Sequence, residues 1–473
     1  MKLKRKKDEN VKVKKERRKL DNNQKMKLIK RIVIICFAII ALELIIMAGT
    51  YIVREYKVDY QDGLNDIKVI SDGYIGAGSS NFRNSKDVSK KVYTHTIPET
   101  GEKERVIANQ AKLVKYDSDM DIVWERTFPC DYDSVFYNVL PVSDGYVAVG
   151  SYIYDYKQID LRTRDGLIVK YDLNGNIVWS KNYQVLGDTE FYKVIESTDG
   201  NYIVVGQSIY ENLELGNHAT GGGVIVKYDK NGEVLARNNY GGNKSGLFND
   251  VVEVEDGYIV CGRDAANYGI VIKFQKDFNR EDADTVFISK KVMWNTTFPT
   301  DKLSFTDSMG FTDLEIVNNK IYVTSAINVS EEKDEKENLI HQHDASLLVF
   351  DMKGKFERKY TFGGSSLDRY DGMIVNNDNI IVIGTTNSKD IEIDGHHKKE
   401  NQTAIMVKYD LEGNILEKEY YGEKNNTAFT RIIKVSDNKN LVVGTTNSKK
   451  GLFGYDYQVI TNFYDNDLNL LDK

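Results

Sequence analysis

The sequence predicts an all-β fold, a seven-bladed β-propeller of four-stranded antiparallel blades, preceded by one N-terminal transmembrane helix. Three observations predict it. An Asp-Gly turn leading into an apolar strand that ends in Gly recurs along the chain, a second strand phrase alternates with it, and an uninterrupted apolar run stands near the N-terminus. The 36 Gly, 30 Tyr and only 4 Pro suit a sheet-rich chain with many glycine turns, not a disordered or collagen-like one.

Residues 1–31 are crowded with Lys and Arg and read as a basic cytoplasmic tail. The apolar run Ile32–Val53 follows, with Glu43 as its single ionisable side chain. At about 1.5 Å per residue it measures roughly 33 Å, enough to cross a hydrocarbon core of about 30 Å. A cleaved signal peptide is the competing reading, but such a peptide has a shorter apolar stretch and small residues at its cleavage site. Processing at Cys36 fails for a related reason: Ile35 precedes it and the apolar run continues past it. The basic flank places the N-terminus in the cytoplasm and residues 54–473 outside, so the expected location is the plasma membrane, crossed once. Glu43 near the middle of the span is either a neutral acid or a contact with a membrane partner.

The outer part repeats. The first phrase reads DGYIGAG at Asp72–Gly78, DGYVAVG at Asp144–Gly150, DGNYIVVG at Asp199–Gly206 and DGYIVCG at Asp256–Gly262. It returns as NNKIYVTS at Asn318–Ser325, NDNIIVIG at Asn377–Gly384 and DNKNLVVG at Asp437–Gly444. The second phrase is clearest as KLVKYDSDMDIVW at Lys112–Trp124, LIVKYDLNGNIVW at Leu167–Trp179, VIVKYDKNGEVLA at Val224–Ala236 and IMVKYDLEGNIL at Ile405–Leu416. Weaker copies are Ile270–Phe278, Leu347–Arg358 and Ile460–Leu471. Val, Ile and Tyr in short alternating blocks are strand signals, and Asn-Gly or a relative closes a tight hairpin because both residues accept positive φ.

Another short strand precedes each first phrase, as at Phe191-Tyr-Lys-Val-Ile-Glu and Phe429-Thr-Arg-Ile-Ile-Lys. Each unit is therefore strand A, an Asp-Gly turn, B, a variable loop, C, an Asn-Gly turn and D. Four antiparallel strands repeated at about 60 residues is the pattern of a propeller; a solenoid, the alternative, has shorter repeats and distinct capping units. The two phrases resemble the repeats of bacterial surface β-propellers in the broad quinoprotein-like superfamily. That resemblance, over about residues 60–473, implies the fold and leaves function open, since the superfamily hosts enzymes, assembly factors and binding modules.

Strand order puts the short turns on one face of the disc and the B–C loops and D–A crossings on the other. The loops around Ser79–Ala111, Ser151–Asp165, Asn328–Asp344 and Thr385–Thr403 are long, that at Arg263–Tyr268 is short, and binding is expected on this irregular face. All six histidines are assigned to these loops: His95, His218, His341, His343, His396 and His397. The last four, from adjacent blades near Asp344, Asp390, Glu392 and Asp394, are the candidates for a nitrogen-rich metal site if the loops converge. Otherwise they are polar residues of exposed loops, and no metal or cofactor is expected. Turn chemistry accounts for Asp172–Asn176 and Asp410–Asn414 without calcium. Trp124 and Trp179 are expected to pack between blades. Cys130 and Cys261 are placed too far apart for a disulfide, with Cys261 a small core residue.

The acidic body argues against nucleic acid as a partner. Ser-x-Asp-x-Gly-x-x-Trp boxes, adjacent cysteines, Gly-x-Ser-x-Gly, His-Glu-x-x-His and phosphate-cradling loops are all missing from the sequence. The expectation is a non-enzymatic, membrane-tethered extracellular module that binds or scaffolds a protein, peptide or glycan on the B–C face. Alternatives are an envelope-assembly or sensing component working through Glu43, and a propeller enzyme such as a glycosidase using a carboxylate pair. Abundant Lys, Asn, Ile and Tyr with scarce Pro suit an AT-rich bacterial coding sequence.

Overall fold

The computed structural model describes residues 26, 30, 60–80, 92–96, 103–153, 164–183, 187–212, 218–240, 246–264, 268–278, 291–298, 310–328, 343–376, 378–388, 390–391, 402–422, 426–451 and 454–471. The chain divides into Met1–Lys57 and Val58–Lys473, and the second unit is the propeller. Among the described residues no helix is long and apolar enough to cross a membrane; Ile32–Val53 and Glu43 lie outside them.

Blade 1 is built from β1 (Tyr60–Ile70), β2 (Gly73–Ser80), β5 (Gln110–Tyr116) and β6 (Ile122–Thr127), and its B–C excursion carries its own hairpin, β3 (Val92–Thr96) with β4 (Lys103–Ile107). Blade 2 holds β7 (Ser134–Val142), β8 (Gly145–Tyr152), β9 (Asp165–Asp172) and β10 (Ile177–Tyr183). Blade 3 holds β11 (Gly187–Glu196), β12 (Tyr202–Asn212), β13 (His218–Tyr228) and β14 (Val234–Tyr240). Blade 4 holds β15 (Leu247–Val254), β16 (Gly257–Arg263), β17 (Gly269–Gln275) and β18 (Val292–Phe298). Blade 5 holds β19 (Leu314–Val317), β20 (Lys320–Asn328), β21 (His343–Asp351) and β22 (Phe356–Phe362). Blade 6 holds β23 (Asp368–Val375), β24 (Asn379–Thr386), β25 (Thr403–Asp410) and β26 (Ile415–Tyr421). Blade 7 holds β27 (Thr427–Ser436), β28 (Lys439–Gly451), β29 (Gly454–Tyr464) and the two-residue β30 (Leu470–Leu471).

Every blade is antiparallel in the order A–B–C–D, as the two phrases predict. Blade 4 departs in one connection: its C and D strands are joined not by a tight turn but by a segment running from Lys276 to Lys291. Its C-strand phrase ends Gln275-Lys276-Asp277-Phe278, with no Asn-Gly to turn the chain at once.

The core is a set of interblade layers. Ile75, Leu113, Phe136 and Tyr171 join blades 1 and 2; Val149, Phe191 and Tyr228 join 2 and 3; Val205, Phe248 and Phe274 join 3 and 4. Cys261, Phe311 and Phe350 join blades 4 and 5; Val349, Tyr370 and Tyr409 join 5 and 6; Ile383, Phe429 and Tyr464 join 6 and 7. The seventh layer, with Leu64, Ile67, Val114, Leu441 and Phe463, joins blade 7 to blade 1 and closes the ring. Among the described residues no strand is exchanged in this closure. The start of β1 only brushes blade 7, with Tyr60 and Gln61 paired in parallel to Asp456 and Tyr457.

The glycine ending the first phrase has a steric cause. A bulge in strand A, as between Phe136 and Asn138, presses the preceding carbonyl against strand B. A Cβ at Gly150 would lie 1.8 Å from the Val135 carbonyl oxygen, and Gly78, Gly206, Gly262, Gly384 and Gly444 meet the equivalent oxygen as closely. Blade 5 has Ser325 there, and it is the blade whose β19 starts only at Leu314 and pairs without a bulge.

The second phrase is tied to the first by its lysine. Lys115, Lys170, Lys227 and Lys273 reach the turn aspartates Asp72, Asp144, Asp199 and Asp256 of their own blades at 2.5–2.7 Å. In the C–D turns Asp172 accepts hydrogen bonds from the Asn174 and Asn176 amides, and Asp410 from the Asn414 amide, so these residues are explained by turn geometry. Trp124 and Trp179 pack between blades as expected. Trp124 lies over Gly175 and Trp179 over Gly232 of the next blade, and the Trp179 indole donates to the Lys230 carbonyl at 3.1 Å.

Candidate functional site

Strand A is the inner edge of each blade, so its axis-facing amides and carbonyls have no ladder partner. The chain supplies partners from one tripeptide repeated in every blade: Leu64-Asn65-Asp66, Phe136-Tyr137-Asn138, Phe191-Tyr192-Lys193, Phe248-Asn249-Asp250, Phe311-Thr312-Asp313, Tyr370-Asp371-Gly372 and Phe429-Thr430-Arg431. The first residue fills the interblade core, the second is the bulge in every blade but the fifth, and the third, glycine in blade 6, lies on the side facing a neighbouring blade.

These residues staple the ring. From the second position, Asn65 donates to the Phe136 carbonyl and Asn249 to the Phe311 carbonyl, each at 2.7 Å; Thr312 donates to Tyr370 at 2.9 Å and Thr430 to Leu64 at 3.3 Å. At the third position, Asp66 accepts from the Val139 amide at 3.1 Å, Asn138 from Val194 at 3.0 Å, Asp250 from Leu314 at 3.4 Å and Asp313 from Met373 at 2.9 Å. Each contact runs from one blade to the next.

Charges are laid into this ring. Lys193 meets Asp250 at 2.7 Å, and Lys68 meets Asp66 at 3.2 Å. Blade 6 has Gly372 in the third position, and across that gap Arg431 of blade 7 reaches Asp313 of blade 5 at 3.0 Å while standing 3.2 Å from Asp66 of blade 1. Arg369 and Asp371 pair at 3.0 Å beside the gap.

Burial, reinforced by the Asp313 charge, pushes the Asp250 carboxyl up despite Lys193. Burial acts the same way on Asp313, but Arg431 and a hydrogen bond from Asp250 outweigh it and hold Asp313 low. The two buried carboxyls are thus driven in opposite directions, Asp250 up and Asp313 down. Glu315 is pushed up to about 7, first by burial and then by Asp313 and Asp250. Burial brings Lys68 down to about 8 against the pull of Asp66.

A cavity of about 480 Å³ opens on the axis above this network, lined by residues of all seven blades, among them Asn65, Tyr137, Tyr192, Lys193, Asp250, Arg369, Asp371 and Arg431. It lies toward the B–C end of the channel, because in the shorter blades the bulge pairs near the end of strand B, as Phe248 does with Gly262. At its rim the Tyr137 and Tyr192 rings meet edge to face with centroids 5.1 Å apart. Both hydroxyls donate to Glu190, which also accepts from Arg164 at 2.8 Å and Gln207 at 3.2 Å.

The histidine reading is corrected in part. His95 lies in the B–C excursion of blade 1, in its hairpin strand β3, whereas His218 in β13 and His343 in β21 stand at the start of C strands, not in loops, because strands B and C of these blades run on past the end of the first phrase. His343 is buried; His341, His396 and His397 lie outside the described residues. Among the described residues no group of three or more His, Cys, Asp or Glu is arranged to hold a metal ion. Near His343, the Asp344 carboxyl is pushed up to about 6 by burial and by Asp368 and Asp390. Cys130 and Cys261 are buried; the Cys130 thiol donates to the Ile153 carbonyl at 3.2 Å, and Cys261 lies within the core between blades 4 and 5.

The chain matches no family model and no curated protein. Among solved structures it is similar to hydrazine synthase of Kuenenia stuttgartiensis, at 8% identity and TM-score 0.39 over 69% of this chain and 79% of that one. It is also similar to Drosophila Plexin A in complex with Semaphorin 1b, at 6% identity and TM-score 0.38 over 70% and 78%. A third is a lignostilbene dioxygenase of Pseudomonas brassicacearum, at 10% identity and TM-score 0.41 over 86% and 90%.

The chain is a seven-bladed β-propeller. At these identities the likeness speaks to the fold alone, and it is a fold that enzymes use. The expectation that the chain is not an enzyme is corrected on that ground: solved structures similar to it include a synthase and a dioxygenase, and missing sequence motifs do not exclude catalysis.

Proposed function

We propose that this propeller is held at a bacterial cell surface by a single transmembrane helix over 32–53, its N-terminus in the cytoplasm, and that it binds a glycan at the B–C end of its central channel. The cavity carries the reading. Its lining interleaves Lys193, Arg369 and Arg431 with Asp66, Asp250 and Asp371, so charge is nearly balanced, while Asn and Thr groups and the Tyr137–Tyr192 pair offer hydrogen bonds beside aromatic faces. A hydroxyl-rich ligand meets such a lining without bringing an unpaired charge into it. The repeats support a place in the quinoprotein-like superfamily, and Glu43 offers the contact to a membrane partner.

Calorimetric titration of the full chain in detergent micelles with N-acetylglucosamine oligomers tests the binding. The expected result is saturable binding that Tyr192→Ala weakens at least about tenfold; no heat with the wild-type chain overturns the reading. For the tether, an Asp437→Cys variant on intact cells is expected to react with a membrane-impermeant maleimide, and protection until lysis overturns the orientation.

A further inference from the structure

We propose that a side pocket between blades 1 and 2 receives the acetamido group of an N-acetylated sugar, with Arg164 and Ser79 donating to its carbonyl. This rests on the glycan reading and names the feature of the ligand that the propeller selects.

The pocket, of about 160 Å³, stands at the B–C end, because its lining comes from strand ends on that face. Ser79 lies near the end of β2, and Asn109, Asp133 and Arg164 immediately precede β5, β7 and β9. Tyr137 lines this pocket and the axial cavity alike, so one side chain separates the two and a single ligand can enter both. That side chain is held in place: its hydroxyl donates to Glu190 and its ring meets Tyr192 edge to face.

The lining selects the group that fits. The Arg164 guanidinium carries five N–H donors, and among the described residues it spends them on Glu190 alone, through one nitrogen at 2.8 Å. The Ser79 hydroxyl makes no hydrogen bond within these residues. Both offer donors, so the ligand must bring an acceptor. That acceptor is a neutral one. Glu190 pairs with Arg164, Asp188 accepts from the Arg164 amide at 2.8 Å, and the Asp133 charge acts on the guanidinium. Three carboxylates around one cation repel a further anion, whereas an amide carbonyl is a strong acceptor without charge. Val135 and the Tyr137 ring supply an apolar wall for the acetyl methyl. A sugar hydroxyl in its place would meet one donor and leave that wall bare.

The test titrates the full chain in detergent micelles with N-acetylchitotetraose and with cellotetraose, which has the same backbone linkage and a hydroxyl at each acetamido position. In the wild type the acetylated oligomer is expected to bind at least about tenfold tighter, the scale of one hydrogen bond from a charged donor. Ser79→Leu, which fills the pocket, is expected to bring the acetylated oligomer down to the affinity of cellotetraose. Ser79→Ala, a milder change that removes one neutral donor, is expected to reduce the preference by about threefold. Equal affinities in the wild type, or a preference undiminished in the two variants, overturn the acetamide pocket and leave the glycan reading standing. No heat with either oligomer overturns the glycan reading and this inference with it.

Discussion

The Arg431 guanidinium stands 3.2 Å from the Asp66 carboxylate and so fastens the last blade to the first. Among the described residues each terminal blade is built from its own strands, and closure combines an apolar layer, the Thr430–Leu64 hydrogen bond, the short β1–β29 pairing and this ion pair. Arg431 also holds Asp313 of blade 5, since Gly372 leaves the intervening blade without a side chain at that level. One cation therefore compensates two buried carboxylates on opposite sides of its own blade.

Removing that cation is the first expected lesion. Arg431→Met keeps much of the side-chain volume but leaves Asp66 and Asp313 short of a partner, which costs about 3–5 kcal/mol for a buried pair. Urea unfolding is expected to show a lower midpoint, with Arg431→Lys recovering part of the loss. A Met variant within about 1 kcal/mol of wild type would mean that the apolar layer alone closes the ring.

The repeat glycines supply a second comparison. Gly150→Ala drives a Cβ into the Val135 carbonyl and is expected to cost about 3 kcal/mol, because the bulge must shift to admit it. Ser325→Gly, at the matching place in blade 5 where no bulge forms, is expected to cost under about 1 kcal/mol. Thermal unfolding of the two variants side by side decides it, and similar losses in both would refute the bulge as the cause of the glycine.

Much of this architecture was legible in the sequence because its signals are local. Asp144-Gly145 and Asn174-Gly175 each write a turn into adjacent residues, and Val and Ile alternation writes the strands between them. The site was harder to read. Asn65, Asn249 and Arg431 look like ordinary strand residues until seven strands are set side by side, since each acts on a neighbouring blade a repeat or more away. Aligning the strands on their bulge would have exposed the tripeptide. The pull of Asp250 and Asp313 on Glu315 could not be read at all, because those residues come together only when the ring closes.

Trp179 tests the packing between blades. Its indole covers Gly232 and donates to the Lys230 carbonyl, so Trp179→Ala removes both a ring contact and a hydrogen bond on a partly exposed edge. About 2 kcal/mol of destabilisation is expected, below the roughly 3–5 kcal/mol for loss of a fully buried aromatic because Trp179 is only half-buried. Trp179→Phe is expected to recover the ring contact but not the hydrogen bond. If chemical denaturation places the Ala and Phe variants together, ring packing is not the main contribution.

Proton linkage at Glu315 gives the last prediction, with a defined sign. The folded state raises this carboxyl to about 7, whereas an unfolded chain leaves a glutamate near about 4.3. Between those values the folded protein binds a proton that the unfolded chain does not, so this group's contribution to stability is full below pH 4.3 and falls as pH rises to 7. Asp344 and Asp188, each raised to about 6, act in the same direction, so the wild-type slope alone cannot isolate Glu315. The difference between wild type and Glu315→Gln does isolate it. Denaturant unfolding at intervals from pH 4.5 to 7.5 is expected to show the variant gaining on the wild type by roughly 2–3 kcal/mol across that range. Parallel curves would mean that the folded chain leaves Glu315 with an ordinary carboxyl, against the burial that raises it here.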